Sequence, residues 1–261
     1  MGNLFATYPS LRSRVVVITG GASGIGEAMV VAFMQQGAKV VFLDVQREAA
    51  EALLARLAKA GMPVEGGTLP AFVQCDVTDV EALQRAASAI VTDYGTVDVL
   101  VNNAGNDTRH SLEEVTPDSW DRSIAVNLKH QFFMTQAVVP AMRAAGRGAV
   151  IHMSSIGWVI PSVHLSVYVT AKAAIVGLTR TLAHELGADG IRVNCVMPGA
   201  ILTERQSRVW FTKEYKTEIL ARQALKRFLL PEEVARLVLF LAADDSAGIT
   251  NQSHVIDGGW V

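Results

Sequence analysis

Five consecutive β-branched residues, Val15-Val16-Val17-Ile18-Thr19, run straight into Gly20-Gly21-Ala22-Ser23-Gly24-Ile25-Gly26. An unbroken run of this kind reads as a strand covered on both faces. The glycines after it read as a tight turn that opens a helix. The same rhythm continues along the chain. Strands are predicted at Val15–Thr19, Lys39–Asp44, Ala71–Cys75, Val97–Val101, Ala149–Ser154, Ile191–Met197 and His254–Ile256. Helices are predicted near 25–36, 46–60, 79–94, 118–145, 166–187 and 231–242. Apolar strands alternating with helices predict an α/β chain with a Rossmann-type, doubly wound parallel sheet of about seven strands and helices on both faces. The expectation is a single domain over 1–261.

Two segments break the rhythm. Residues 60–70 form a Gly/Pro loop. Residues 201–225 are an insertion rich in charge and aromatics, placed after a strand's carboxyl end, where open α/β sheets hold their ligands. The helix at 231–242 is apolar around most of its circumference, which suggests burial against another subunit.

The 23 Lys+Arg against 25 Asp+Glu leave a net charge of −2. That balance argues against a nucleic-acid footprint and against an anionic membrane surface. No apolar run approaches the ~20 residues needed to span a bilayer. MGNLFATYPSLRSR lacks the apolar stretch of a signal peptide, and Ala6 stands where a myristoylation pattern needs Ser or Thr. Cys75 and Cys195 lie inside apolar stretches and read as reduced core residues, which fits a cytoplasmic compartment. His110, His130, His152, His164, His184 and His254 show no metal-ligand spacing, so no metal is expected.

The glycine turn carries chemistry. Its spacing is Gly20-x3-Gly24-x-Gly26, which lets backbone approach a pyrophosphate seated at a helix N-terminus. Gly20, Ser23, Gly24, Ile25 and Gly26 are therefore cofactor candidates. Asp44 ends the second strand 18 residues beyond Gly26, near the offset at which an acid receives the ribose hydroxyls of NAD. A carboxylate there would repel a 2′-phosphate, so NAD is expected over NADP. Nearby Arg47 reads as a solvated first-turn residue.

In Tyr168-Val169-Thr170-Ala171-Lys172 a phenol and an ammonium leave one helix face a turn apart. Alone, this spacing is equally that of a surface Tyr and Lys lying along a packed helix. Its companions decide. TGGASGIG, Asn102-Asn103-Ala104-Gly105, Ser155 with YVTAK, and Pro198-Gly199 fall in the order and places of the short-chain dehydrogenase/reductase family, which the chain resembles over almost its whole length. The resemblance implies a nicotinamide cofactor and a catalytic set of Asn127, Ser155, Tyr168 and Lys172. It further implies that Asp76 and Val77 contact adenine. Asn103, Ala104 and Gly105 would lie under a ribose, and Pro198, Gly199, Ile201 and Thr203 beside the nicotinamide. Tetramers are common in the family, and a homotetramer is expected.

Alcohol oxidation removes a hydride from carbon and a proton from oxygen. The nicotinamide accepts the hydride, so the protein must supply the base. A free tyrosine has a pKa of ~10, and a neighbouring ammonium is expected to lower it by ~1–3 units. Lys172 would make Tyr168 that base. Ser155 would hydrogen-bond the substrate oxygen, and Asn127 would secure a water that takes the proton onward.

For the substrate, Asn106, Arg109, Ser155, Trp158, Tyr168, Gln206 and Trp210 are the candidate lining, with Asp107, His110, His164 and Arg205 close by. Hydrogen-bonding groups with an aromatic face suit a sugar. YPSL, NNAGNDTRH, VNLKH, YVTAK and RQSRVWFT are together similar to the bacterial D-xylose 1-dehydrogenases of the family. That implies oxidation of an aldopentose at its anomeric carbon to a lactone. A 3-oxoacyl-carrier-protein reductase and a deoxy-keto-sugar-acid 4-dehydrogenase share the motifs, and an idle dinucleotide-binding sensor is the non-enzymatic reading.

Overall fold

The structure is a computed structural model that describes residues 5–60 and 68–261. Seven strands form one parallel sheet in the order β3-β2-β1-β4-β5-β6-β7. They are β1 (Val15–Thr19), β2 (Lys39–Asp44), β3 (Ala71–Gln74), β4 (Val99–Asn102), β5 (Gly148–Met153), β6 (Ile191–Pro198) and β7 (Ser253–Ile256). The order reverses between β1 and β4, so a crevice opens at their carboxyl ends, the point where such sheets receive ligands.

All five β1 residues are buried because helices cover both faces. Val16 and Ile18 join one core with α1 (Gly24–Gln35) and α9 (Pro231–Ala242). Val15 and Val17 face the other, with α3 (Val80–Tyr94) and α5 (His130–Ala145). The two-residue period of the strand thus splits one apolar run between two cores. The α9 helix packs along α1 within this chain. Val234, Ala235, Val238 and Leu239 are buried within this chain, while Leu237 and Phe240 on the same helix stay only partly buried.

Three expectations change. First, β4 begins at Val99 and not Val97, because Asp98 just before it is diverted to tie the strand ends together. Its carboxylate accepts from Val15 N at 2.9 Å and from Arg14 and Arg147, each at 3.1 Å. Second, the long helix expected over 118–145 is divided into α4 (Pro117–Ile124), a π-helical turn (Ala125–Lys129) and α5. The Asn127 side chain donates to the Ser123 carbonyl at 3.0 Å inside that turn. Third, the 201–225 insertion contains two short helices, α7 (Glu204–Val209) and α8 (Lys213–Arg222), capped by Thr203 and Thr212. Helices α2 (Arg47–Ala60) and α6 (Ser166–Leu186) match their expected places. Most of the Gly/Pro loop, 61–67, lies outside the described residues.

Candidate active site at the carboxyl ends of the strands

A cleft of about 1390 Å³ follows the carboxyl ends of the sheet. Its first wall is the glycine turn. Gly20 and Gly24 hold φ of +67° and +58°, values side chains rarely adopt. A Cβ on Gly26 would lie 1.8 Å from the Gly20 carbonyl oxygen. The loop after β4 is stitched to this turn. Thr19 Oγ1 accepts from the amides of Asn103 and Ala104, both at 3.0 Å, and Asn103 Nδ2 donates to the carbonyls of Thr19 and Gly20 at 3.0 and 2.9 Å. Ser23, the N-cap of α1, makes no side-chain bond to the first turn. The helix N-terminus therefore opens on the cleft with its amides directed as an anion site requires.

Asp44 is buried beside this turn, accepting from Ala22 N at 2.9 Å and Gln46 N at 3.0 Å. Each carboxylate oxygen has a second lone pair left for a hydroxyl. Arg47 turns away and donates twice to Gln74 Oε1. Asp76 and Val77 line the same end, and Pro198, Gly199, Ile201 and Thr203 line the opposite wall. A dinucleotide fits these residues: a glycine cradle with no space for side chains, a helix N-terminus and an acid at the second strand. Among the described residues no group of three His, Cys, Asp or Glu side chains is placed to hold a metal ion.

Tyr168 and Lys172 project into the cleft from α6, with the Lys172 ammonium 5.4 Å from the phenol ring centroid. Lys172 Nζ donates to the Met153 carbonyl at 2.9 Å. Ser155 lies just past β5, where its hydroxyl accepts from Gly157 N at 3.0 Å and acts to lower the Tyr168 pKa. Asn127 is fully buried behind the cleft. It accepts from Asn106 N at 2.9 Å and donates to Asn106 O at 3.0 Å, so it fixes the loop that carries the lining. Gly105 permits this closeness: a Cβ there would stand 3.1 Å from Asn127 Oδ1 and 3.4 Å from Lys172 Nζ.

One expectation reverses. Burial pushes the Tyr168 phenol up to about 12, the Asp107 charge acts the same way, and the Ser155 bond and Arg205 only oppose them. Burial likewise pushes Lys172 down to about 8, against the pull of Cys195 and Asp107. In the cofactor-free protein, desolvation outweighs the ammonium's influence on the phenol.

The substrate end separates the candidates. Asn106, Arg109 and Gln206 line the cleft; Trp158 and Trp210 do not. Trp158 sits exposed on the turn after Ser155. Trp210 instead backs the Arg109 guanidinium, which lies 4.6 Å from its ring centroid and 5.7 Å from that of Tyr215. Asp107 is the cleft residue that local sequence undervalues. It pairs with Arg205 and accepts from Gln206 Nε2 at 2.6 Å, joining the loop after β4 to α7. Its partners lie almost a hundred positions away, so no local pattern marks it.

Beneath the cleft two fully buried histidines, His130 and His152, are pushed down to about 3, first by burial and next by the Lys172 charge. Between about 3 and the ordinary 6.5 the unfolded chain binds the protons that the folded chain refuses. Stability therefore falls as pH drops through that window, by about 1.4 kcal/mol per unit for each histidine. Urea unfolding at pH 7, 6 and 5 should show this acid-side loss. A level profile would show that the fold accepts those protons.

A doubly wound parallel sheet with this cradle and tyrosine–lysine pair defines a dinucleotide-binding oxidoreductase acting on CH–OH groups. The model of the family described as enoyl-(acyl carrier protein) reductase matches residues 20–261. The chain is 49% identical to the D-xylose 1-dehydrogenase of Caulobacter vibrioides (strain NA1000 / CB15N), over 98% of each chain. It is 48% identical to a protein of Rhizobium meliloti (strain 1021) named as a probable galactose dehydrogenase, over 97% of this chain and 96% of that one. A 3-oxoacyl-[acyl-carrier-protein] reductase of Thermotoga maritima is 38% identical over 96% of this chain and 99% of that one. Among solved structures, a Serratia marcescens short-chain dehydrogenase/reductase double mutant superposes with a TM-score of 0.86 at 34% identity, covering 96% and 99% of the two chains. The chain belongs to the short-chain dehydrogenase/reductase family.

Proposed function

We propose that the chain oxidises the anomeric hydroxyl of an aldose, an aldopentose such as D-xylose foremost, to its lactone with reduction of NAD. The observation that carries this reading is that Tyr168, Ser155 and Lys172 line one cleft, Lys172 beside the phenol ring, with a polar substrate end. The 49% identity to a D-xylose 1-dehydrogenase supports the sugar. The acyl-carrier reductase relative is more distant, at 38%. The relative named for galactose supports a second sugar reading, an aldohexose at the same carbon.

When bound, the oxidised nicotinamide supplies the hydride acceptor and a positive charge that favours the phenolate. Tyr168 Oη takes the proton of the C1 hydroxyl as C1 loses its hydride, leaving a C1 carbonyl. Ser155 donates to the substrate oxygen and orients it. Lys172, held by Met153 O, releases one of its own protons on the side of the Asn127 turn and takes the phenol's in its place. The segment 201–225 forms the substrate-side wall. Free, buried Cys75 and Cys195 fit a cytosolic setting, and a homotetramer belongs to the same reading.

A sugar panel followed by NADH absorbance tests this. An aldose should be the best substrate. NAD should exceed NADP in kcat/KM by about tenfold or more, since ~1.4 kcal/mol of repulsion at Asp44 suffices. Turnover confined to non-sugar secondary alcohols would overturn the substrate. Equal efficiency with both cofactors would overturn the role of Asp44.

A further inference from the structure

Lys172 owes its position to one carbonyl, that of Met153, and the same carbonyl has a second donor. Gln131, fully buried in the first turn of α5, directs Nε2 at Met153 O (3.4 Å) and also at Asn127 O (3.3 Å). Its Oε1 meets His152 Nδ1 at 3.0 Å. The orientation is forced. Two carbonyl oxygens on one side accept only from an NH2, so Oε1 must face the histidine, and His152 must carry its proton on Nδ1. Asn102 Nδ2, 3.2 Å from that same Nδ1, then spends its hydrogens on Gln131 O and Thr135 Oγ1. His152 Nε2 is left buried without a partner. A neutral ring with its proton on Nδ1 serves Gln131 Oε1 and leaves only His152 Nε2 and Asn102 Oδ1 of the cluster without partners.

We propose that Gln131, seated on His152, is a positioning residue for Lys172: its amide ties the carbonyl that holds the ammonium to the Asn127 carbonyl of the π-helical turn. This rests on the reading of Tyr168 and Lys172 given above. The bridge joins β5 to the start of α5, so the spacing between the lysine and the Asn127 turn is fixed by one side chain. Charged or titratable groups acting on Lys172 come from every neighbouring element: Tyr168 on α6, Cys195 on β6, Asp107 after β4, His130 on α5 and His152 on β5. None of them replaces the neutral bridge.

The test compares Gln131→Met, His152→Leu and His152→Asn with the unaltered chain, with the aldose it turns over best. An asparagine keeps a donor where Nδ1 stands; leucine removes it. Gln131→Met should lower kcat by about tenfold or more, as one buried bond left unmade implies, with sugar KM and NADH affinity (by fluorescence) within about threefold. The acid limb of log kcat against pH, set by Lys172 having to release a proton, should rise by about one unit, because Met153 O then serves the ammonium alone. His152→Leu should move the limb the same way, and His152→Asn should restore it. In the cofactor-free protein, long-range 1H–15N spectra should report His152 protonated on Nδ1, and this signature should vanish in Gln131→Met. A proton on Nε2 in the unaltered chain, or a fall in kcat with an unmoved limb, would overturn the inference. Tyr168→Phe separates it from its premise. A Tyr168→Phe chain above a tenth of normal activity removes both; an inactive one beside an unshifted Gln131→Met removes the bridge alone.

Discussion

Replacing Tyr168 with phenylalanine is expected to lower kcat by ~10²–10⁴-fold, the usual weight of a positioned general base, while NADH binding stays intact. The ring remains packed on α6, and only the oxygen that meets Ser155 is lost. Burial holds the phenol up to about 12, so on the reading proposed above it stays protonated until the cofactor's positive charge favours its phenolate. Steady-state rates with NAD and the preferred aldose, beside NADH fluorescence, check it. Activity above a tenth of normal would remove Tyr168 from the mechanism.

Gly26→Ala is expected to damage both cofactor binding and stability. The new Cβ would sit 1.8 Å from the Gly20 carbonyl oxygen and 2.8 Å from Asn103 Nδ2. Neither can yield cheaply, because Asn103 clamps the turn through Thr19 and Gly20. The N-terminus of α1 must lift from β1, which carries it away from the phosphate position. Overpacking costs typically ~1–3 kcal/mol, so NADH affinity should fall by about ten- to a hundredfold and urea midpoints should drop. Unchanged affinity would mean that the turn is a packing device only.

Much of this site is legible in the chain because its parts are local. The strand, glycine turn and helix of 15–35 are consecutive. Tyr168 and Lys172 share a helix face by periodicity alone, and Asp44 needs only to end a strand. What the sequence leaves open depends on distant partners. Trp158 and Trp210 are near the chemistry in sequence, yet one is left exposed and the other is taken up by Arg109. Asp107 gains its importance from Arg205 and Gln206 on a distant helix. Part of the apolar girth of α9 is taken by α1, a pairing that the sequence does not show.

The sequence by itself determined the order of elements and the glycine turn that opens α1, because hydrophobic period and backbone freedom are short-range properties. Tertiary structure alone decided the sign of the Tyr168 and Lys172 shifts, the π-helical turn around Asn127 and the Gln131–His152 bridge beneath them. Desolvation and buried hydrogen bonds depend on what four separate elements bring to one point, and that information resides in no single stretch of chain.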